Sequence, residues 1–309
     1  MGLQDAGRSR HEVRVVLLAV AVGWLAAGSA SAQGLGPLVE AFWAAGSVDE
    51  IDEAVQTVLE LDPEIGPLFT RVRAGSSYDS NALRGRQLLT RANTDGVTFR
   101  YEAYIPENYD PTQRYPVRMY LHGGVSRPRR DEPPFWRNAE PYLRDDTIVV
   151  FPESWGEAMW WQANQIENLG GVLNGLKARY NIDENAVYLM GVSDGATGAF
   201  YHAFKAPTPW AGFLSFNGHP VVLANRSTGA DGQMYVTNLR NKPFFAVNGG
   251  QDRLYPISSV LPFFQLFVDA GISLDFRPKP EAGHNMQWWP EETDTVDQFI
   301  LTRKRIPLP

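Results

Sequence analysis

The chain has 309 residues, of which 44% are hydrophobic and 20% charged, and its formal net charge is −7. This composition is typical of a soluble globular protein, and the length allows one large domain or two small ones. No cysteine is present, which excludes disulfides, cysteine-bound zinc and thiol nucleophiles. Because the net charge is negative, we expect no nucleic-acid partner.

The N-terminal residues have the order of a secretory signal peptide. Three arginines precede the apolar run VVLLAVAVGWLAAG (15–28), and ASA (30–32) places small residues where a signal peptidase cuts. A transmembrane anchor is the alternative, but the apolar run is short for crossing a bilayer. We expect residues 1–32 to be removed. This predicts a secreted or periplasmic protein without a stable membrane anchor.

Residues 33–80 have the pattern of a short helical segment. The stretch SVDE (47–50) is a capping box, with Ser47 as the cap and Glu50 three residues later. Apolar residues then recur at helical spacing until Asp62 and Pro63 end the run. The segment can pack on the main domain, cover a site or serve as a pro-segment, and we favour packing.

Residues 81–309 alternate between strand and helix patterns. RQLLTRA and VTFRYEAYIP alternate apolar and polar residues, as an antiparallel edge pair does. More continuous apolar strands follow, with helices predicted between several of them, at 115–124, 146–153, 186–193, 211–218, 242–250 and 273–278. This order predicts an α/β domain with a mainly parallel sheet covered by helices on both faces.

Chemically useful residues follow four of these strands. HGG (122–124) follows the first buried strand, and Ser193, within GVSDG, ends the strand at 186–193. Asp252 and His284 follow the last two strands. Because the carboxyl ends of parallel strands meet at one edge of a sheet, we expect these residues to lie together.

A serine, an acid and a histidine in this order can form a nucleophilic site. A serine hydroxyl is a weak nucleophile until a base takes its proton, and His284 is the candidate base. Asp252 would orient that histidine and stabilise its cation. The backbone amide of Asp194, with Gly123 or Gly124, would bind the developing oxyanion.

Other residues compete for these roles. A G-x-S-x-G motif alone is weak, because serine is common in glycine-rich turns. His219 follows a strand end and is the rival base, while Asp231 and Asp275 are the rival acids. We favour His284 because it lies beyond the acid in a glycine-flanked loop, and Asp252 because it directly follows the appropriate strand.

Several segments resemble secreted serine esterases of the α/β-hydrolase superfamily, in the group of feruloyl esterases, polyhydroxybutyrate depolymerases and esterase-D-like enzymes. The similar segments are YEAYIPENYDPTQRYPVRMYLHGG, RYNIDENAVYLMGVSDGATGAF, VNGGQDRLYP and EAGHNMQWWP, within residues 86–303. The resemblance implies an α/β-hydrolase fold, a triad of Ser193, Asp252 and His284, and hydrolysis of carboxylic esters without a metal or organic cofactor. The chain lacks the cysteines that many of these secreted enzymes carry.

Two other functions stay open. The same motifs resemble the catalytic domain of prolyl-oligopeptidase-like serine peptidases, and a non-catalytic binding protein with this fold is the third possibility. The expected partner is a small or polymeric ester. Among nine tryptophans, Trp160, Trp161 and Trp288 are the candidates for lining an apolar pocket, and we expect at least one tryptophan near the strand ends to contact the substrate. For each tryptophan taken alone, packing between loop and sheet is favoured.

Overall fold

The structure, a computed structural model, describes residues 32–45 and 47–305. The predicted signal peptide lies outside these residues except for Ala32, where the first helix begins. The chain divides after Ser77 into two compact units, whereas the sequence pattern placed this boundary after residue 80. Among the described residues, none of the helices combines the length and apolar character needed to span a bilayer.

The first unit contains three helices: α1 (Ala32–Ala44), α2 (Val48–Glu60) and α3 (Ile65–Ala74). The predicted cap of α2 is present, because the Glu50 backbone N–H donates to Ser47 Oγ over 3.2 Å. An ion pair between Arg71 and Glu40 joins α3 to α1. Residues 33–80 are therefore mainly helical, as predicted.

The second unit is built on one eight-stranded sheet with the order β1-β2-β4-β3-β5-β6-β7-β8. The β1–β2 and β2–β4 pairs are antiparallel, and every other pair is parallel. The strands are β1 (Gly85–Ala92), β2 (Thr98–Ile105), β3 (Tyr115–Leu121), β4 (Ile148–Pro152), β5 (Ile182–Val192), β6 (Gly212–Phe216), β7 (Phe244–Gly249) and β8 (Leu274–Lys279). The predicted edge pair and mainly parallel sheet are confirmed.

Helices and short 3-10 turns connect the strands. The helices are α4 (Ala163–Lys177), α5 (Asp194–Lys205), α6 (Val221–Ala224), α7 (Ile257–Asp269) and α8 (Trp289–Thr302). The 3-10 turns are Glu140–Tyr142, Arg226–Thr228 and Val236–Leu239. α4, α5 and α7 each follow a strand and lead into the next parallel strand, as crossover connections in parallel sheets do.

Two apolar cores cover the opposite faces of the sheet. Met119 and Leu121 of β3 belong to the core that includes residues of α4, α5 and α7. Tyr120, between them, belongs to the other core with residues of α8. Because both faces are covered, the central strands are apolar almost throughout. The loops after β3, β5, β7 and β8 are therefore left together at the carboxyl edge of the sheet.

Candidate active site

Ser193 stands at a sharp turn between β5 and α5. Its backbone has φ 57° and ψ −119°, a conformation that side chains rarely adopt and that costs about 1–3 kcal/mol. A Cβ on Gly191 would lie 2.0 Å from the Gly195 carbonyl oxygen, and one on Gly195 would lie 1.8 Å from that of Leu121. Both glycines are thus required, because a side chain at either position would collide with the backbone. Ser193 itself is partly exposed at the tip of this turn.

Ser193, His284 and Asp252 form one chain of hydrogen bonds, although they are far apart in the sequence. His284 Nε2 lies 2.8 Å from Ser193 Oγ, and His284 Nδ1 lies 2.6 Å from Asp252 Oδ2. Because an ionised carboxylate only accepts, the Nδ1–H donates to Asp252 and Nε2 is left to accept from the serine hydroxyl. The imidazole is therefore oriented to take the hydroxyl proton.

The Asp252 carboxylate is held from both sides. Its side chain is fully buried, while that of His284 is 25% exposed. Oδ1 accepts the backbone N–H groups of Leu254 and Tyr255 at 2.8 and 2.9 Å, which leaves Oδ2 for the histidine. The turn after β7 thus fixes the position of the Asp252 carboxylate independently of its contact with His284.

The rival residues are engaged elsewhere. His219 Nδ1 accepts the Val221 backbone N–H at 3.1 Å, and its Nε2 donates to the Ser259 carbonyl at 3.1 Å. Burial lowers the pKa of His219, so its ring is held neutral and in one tautomer. Asp275 is paired with Arg277 on β8, and Asp231 is paired with Lys205. None of the three contacts Ser193.

His122 braces the glycine turn after β3. Its Nδ1 donates to the Gly123 carbonyl over 3.0 Å, and its Nε2 accepts the Ser154 backbone N–H at 3.1 Å. Its own carbonyl accepts the Trp160 indole N–H at 2.8 Å. Burial lowers the pKa of His122, which keeps the ring in the neutral form that these contacts need.

The glycine turn lies directly against the serine. A Cβ on Gly123 would be 2.9 Å from Ser193 Cβ and 3.5 Å from its Oγ. Within the described part of the chain, the backbone N–H groups of Gly123, Gly124 and Asp194 donate to no acceptor. These are the donors that the sequence predicted for an oxyanion site, and Gly123 packs directly on Ser193.

The carboxylate of Asp194 has a contact that the sequence did not predict. Its Oδ2 accepts the Val125 backbone N–H at 2.8 Å, which fastens the glycine turn to the first residue of α5. The two residues are 69 positions apart. The motif around Ser193 gives no signal for this contact, because it depends on how β3 and β5 are paired.

The three candidate tryptophans are packed between loops and sheet, the arrangement favoured for each of them taken singly. Trp160 is fully buried, and Trp161 and Trp288 are only 6% and 4% exposed. The Trp161 indole N–H donates to the Thr228 carbonyl at 2.7 Å, and Trp288 packs on Phe216 with ring centroids 5.6 Å apart. These rings fill the space between loops and sheet, so they have little or no surface left for a substrate.

The described residues give no place for a metal ion held by side chains. No group of three histidine, aspartate or glutamate side chains lies close enough together to hold one in residues 32–45 and 47–305.

Comparison with known proteins agrees with this architecture. No protein-family model matches the chain. A protein named "Probable dipeptidyl-peptidase 5" from Aspergillus terreus is 27% identical over 157 residues, which cover 48% of this chain and 21% of that protein. The chain thus spans about a fifth of the curated relative that it matches.

Solved structures of esterases and peptidases share the fold. A thermostable esterase superposes with TM-score 0.56 at 17% identity, covering 71% of this chain and 63% of that one. Esterase 2 from Thermogutta terrifontis gives 0.57 at 13% identity, covering 73% and 97%. The acylaminoacyl peptidase of Pyrococcus horikoshii gives 0.56 at 12% identity, covering 71% and 42%. The second unit of this chain therefore has an α/β-hydrolase fold, the fold that these esterases and peptidases share.

Proposed function

We propose that this protein is a secreted serine hydrolase that cleaves carboxylic esters through an acyl-enzyme on Ser193. The proposal is carried by the chain of hydrogen bonds from Ser193 Oγ through His284 to Asp252, at 2.8 and 2.6 Å. These distances are within the range that a nucleophile and its base require for proton transfer.

The reaction follows from the geometry in two halves. His284 Nε2 takes the Ser193 proton as Oγ attacks the ester carbonyl carbon, and the carbonyl oxygen becomes an oxyanion. The N–H groups of Asp194 and of Gly123 or Gly124 would donate to that oxyanion. Collapse breaks the ester C–O bond, and the alcohol leaves with the proton held by His284. Water, deprotonated by His284, then releases the acid and restores Ser193.

The experiment is hydrolysis of p-nitrophenyl butyrate by the purified wild-type chain and by Ser193→Ala. We expect the wild type to hydrolyse the ester and to be labelled by a fluorophosphonate, and the variant to do neither. Thr197→Ala, in the next turn of α5, is a control for general damage to the helix. Activity that persists in Ser193→Ala would remove Ser193 as the nucleophile. An unlabelled, inactive wild type would favour the binding-protein alternative.

A serine peptidase is the second candidate, favoured by the similarity to the dipeptidyl-peptidase. The same site can attack an amide, provided that His284 protonates the leaving amine. Dipeptide p-nitroanilides, compared with p-nitrophenyl esters of the same acyl group, separate the two activities. A kcat/KM for the anilide that equals or exceeds the ester value would favour the peptidase. We expect a strong preference for the ester.

Secretion is also part of the proposal. It is supported by the basic residues, the apolar run and the small-residue site within residues 1–32. N-terminal sequencing of the exported protein should begin at Gln33. A sequence that begins at Met1 would contradict the predicted cleavage.

A further inference from the structure

A small cavity adjoins the glycine turn beside Ser193. Its volume is about 110 Å³, and its lining includes His122, Gly124, Ser154 and three arginines, Arg127, Arg130 and Arg137. No carboxylate lines it, although Asp131 and Glu132 belong to the same loop. Pockets for whole small-molecule ligands are larger, about 300–1,000 Å³, so this space suits one group of a substrate.

The cavity is close to the reacting hydroxyl. The guanidinium carbon of Arg127 lies 3.6 Å from the place where a Cβ on Gly124 would be, and the neighbouring Gly123 packs on Ser193. Successive Cα atoms are only about 3.8 Å apart, so the arginine wall begins one residue from the proposed oxyanion site. The cavity is therefore within reach of a substrate bound at Ser193.

The arginines of the cavity are not paired with carboxylates among the described residues. Within residues 32–45 and 47–305, the guanidinium groups of Arg127 and Arg137 form no hydrogen bond or ion pair. Arg130 donates only to the Pro134 carbonyl, at 2.6 Å. By contrast, Arg129 of the same loop is paired with the buried Glu153. All three arginines are exposed, and among the described residues none of them forms an ion pair, so their charges are free to meet an anionic group in the cavity.

We propose that this cavity binds a carboxylate of the substrate, so that the preferred substrates are esters that carry a second, ionised acid group. The inference rests on the proposed ester hydrolysis. A guanidinium presents parallel N–H donors that match the two oxygens of a carboxylate, and such charge-assisted pairs are stronger than neutral hydrogen bonds. The cavity selects the substrate by charge, while Ser193 performs the chemistry.

The test compares esters that differ only in charge. Methyl hydrogen glutarate carries the carboxylate on the acyl part, and its neutral partner has an isopropyl group in place of that carboxylate. To place the carboxylate on the alcohol part, the butyrate ester of 3-hydroxypropanoate is compared with isopentyl butyrate, which has an isopropyl group in place of that carboxylate. We expect the wild type to prefer the charged member of at least one pair, and the pair that responds shows which part of the substrate enters the cavity.

The variants are Arg127→Gln, Arg130→Gln and Arg137→Gln, with Arg303→Gln as the matched control. Arg303 is exposed, follows α8, and its guanidinium makes no hydrogen bond or ion pair among the described residues, so its loss removes the same charge elsewhere. We expect Arg127→Gln to lower kcat/KM for the charged ester by about tenfold and to leave the neutral ester unchanged. Added salt should raise KM for the charged ester only.

Three results would overturn the inference. A wild type that hydrolyses charged and neutral partners equally well has no carboxylate subsite, although the proposed ester hydrolysis stands. Arginine variants that lower both rates equally place these residues in a structural role. If the wild type hydrolyses p-nitrophenyl butyrate but none of the four esters, the carboxylate subsite fails while the proposed ester hydrolysis stands.

Discussion

His219 follows β6 and His284 follows β8 at the same edge of the sheet, yet only His284 contacts the Ser193 hydroxyl. Both imidazoles pack on the Tyr255 ring, and each imidazole centroid lies 5.7 Å from the Tyr255 centroid. Both ring nitrogens of His219 form hydrogen bonds with backbone groups. In His284, one ring nitrogen bonds to the Asp252 carboxylate and the other to the Ser193 hydroxyl. The difference shows that partners, rather than position alone, determine what a histidine can do.

Loss of the His284 side chain should have the largest effect on activity. We expect His284→Ala to lower kcat for p-nitrophenyl butyrate by about 10⁶-fold, because Ser193 would lose its proton acceptor. Steady-state rates, with circular dichroism as a check of folding, measure the effect. An activity near that of the wild type would mean that another group serves as the base.

Changing Asp252 tests the second partner. Asp252→Asn keeps the shape of the side chain but can present an N–H to His284 Nδ1, which favours the wrong tautomer. We expect kcat to fall by about 10⁴-fold, with fluorophosphonate labelling slowed to a similar extent. A loss of less than tenfold would mean that the carboxylate is dispensable for orienting the imidazole.

A third histidine, His202, has a buried ring nitrogen without a hydrogen-bond partner. It is buried in α5, its Nε2 has no hydrogen-bond partner, and burial lowers its pKa from 6.5 to about 3. Between these values the unfolded chain binds a proton that the folded chain does not, so stability falls as the pH falls. The slope from this residue is about 1.4 kcal/mol per pH unit.

We therefore expect His202→Phe to lose less stability than the wild type when both are taken from neutral to mildly acidic pH. Urea unfolding at several pH values measures the difference in the free energy of unfolding, and the comparison of slopes removes any constant packing change. Parallel curves for the two proteins would show that His202 does not titrate in this window.

His219→Ala should have the smallest effect on activity. The Val221 N–H and the Ser259 carbonyl would lose their partners, so we expect the free energy of unfolding to fall by about 1–3 kcal/mol. The kcat of the folded protein should stay near that of the wild type. If His219→Ala abolished hydrolysis while His284→Ala did not, the two histidines would have to exchange roles.

The sequence predicted the mainly parallel sheet, and this sheet brings the candidate site residues to one edge. Apolar runs identify the buried strands, and the residues after them must meet at one edge. Ser193, Asp252 and His284 could therefore be selected without coordinates. The choice against His219 rested only on loop position, and the hydrogen bonds of its two ring nitrogens are what separate it from His284.

Residue type did not predict what depends on loop conformation. A tryptophan near a strand end can line a pocket or pack a loop against the sheet. Trp160 is fully buried between loop and sheet. The arginines of the cavity lie in SRPRRDEPPFWR, an irregular stretch without periodicity. The number of arginines in this stretch indicates a locally basic surface, but the net charge of the whole chain, which is negative, does not reveal it.

The bond between Val125 and the Asp194 carboxylate has a consequence for how the site responds to motion. One proposed oxyanion donor lies in the turn after β3, and the other begins α5. Because this bond joins those two elements, a shift of either one carries the other with it, and the spacing of the donors is preserved. In the proposed reaction, the Asp194 side chain would preorganise the oxyanion donors without taking part in the chemistry, which would reduce the reorganisation needed when negative charge develops.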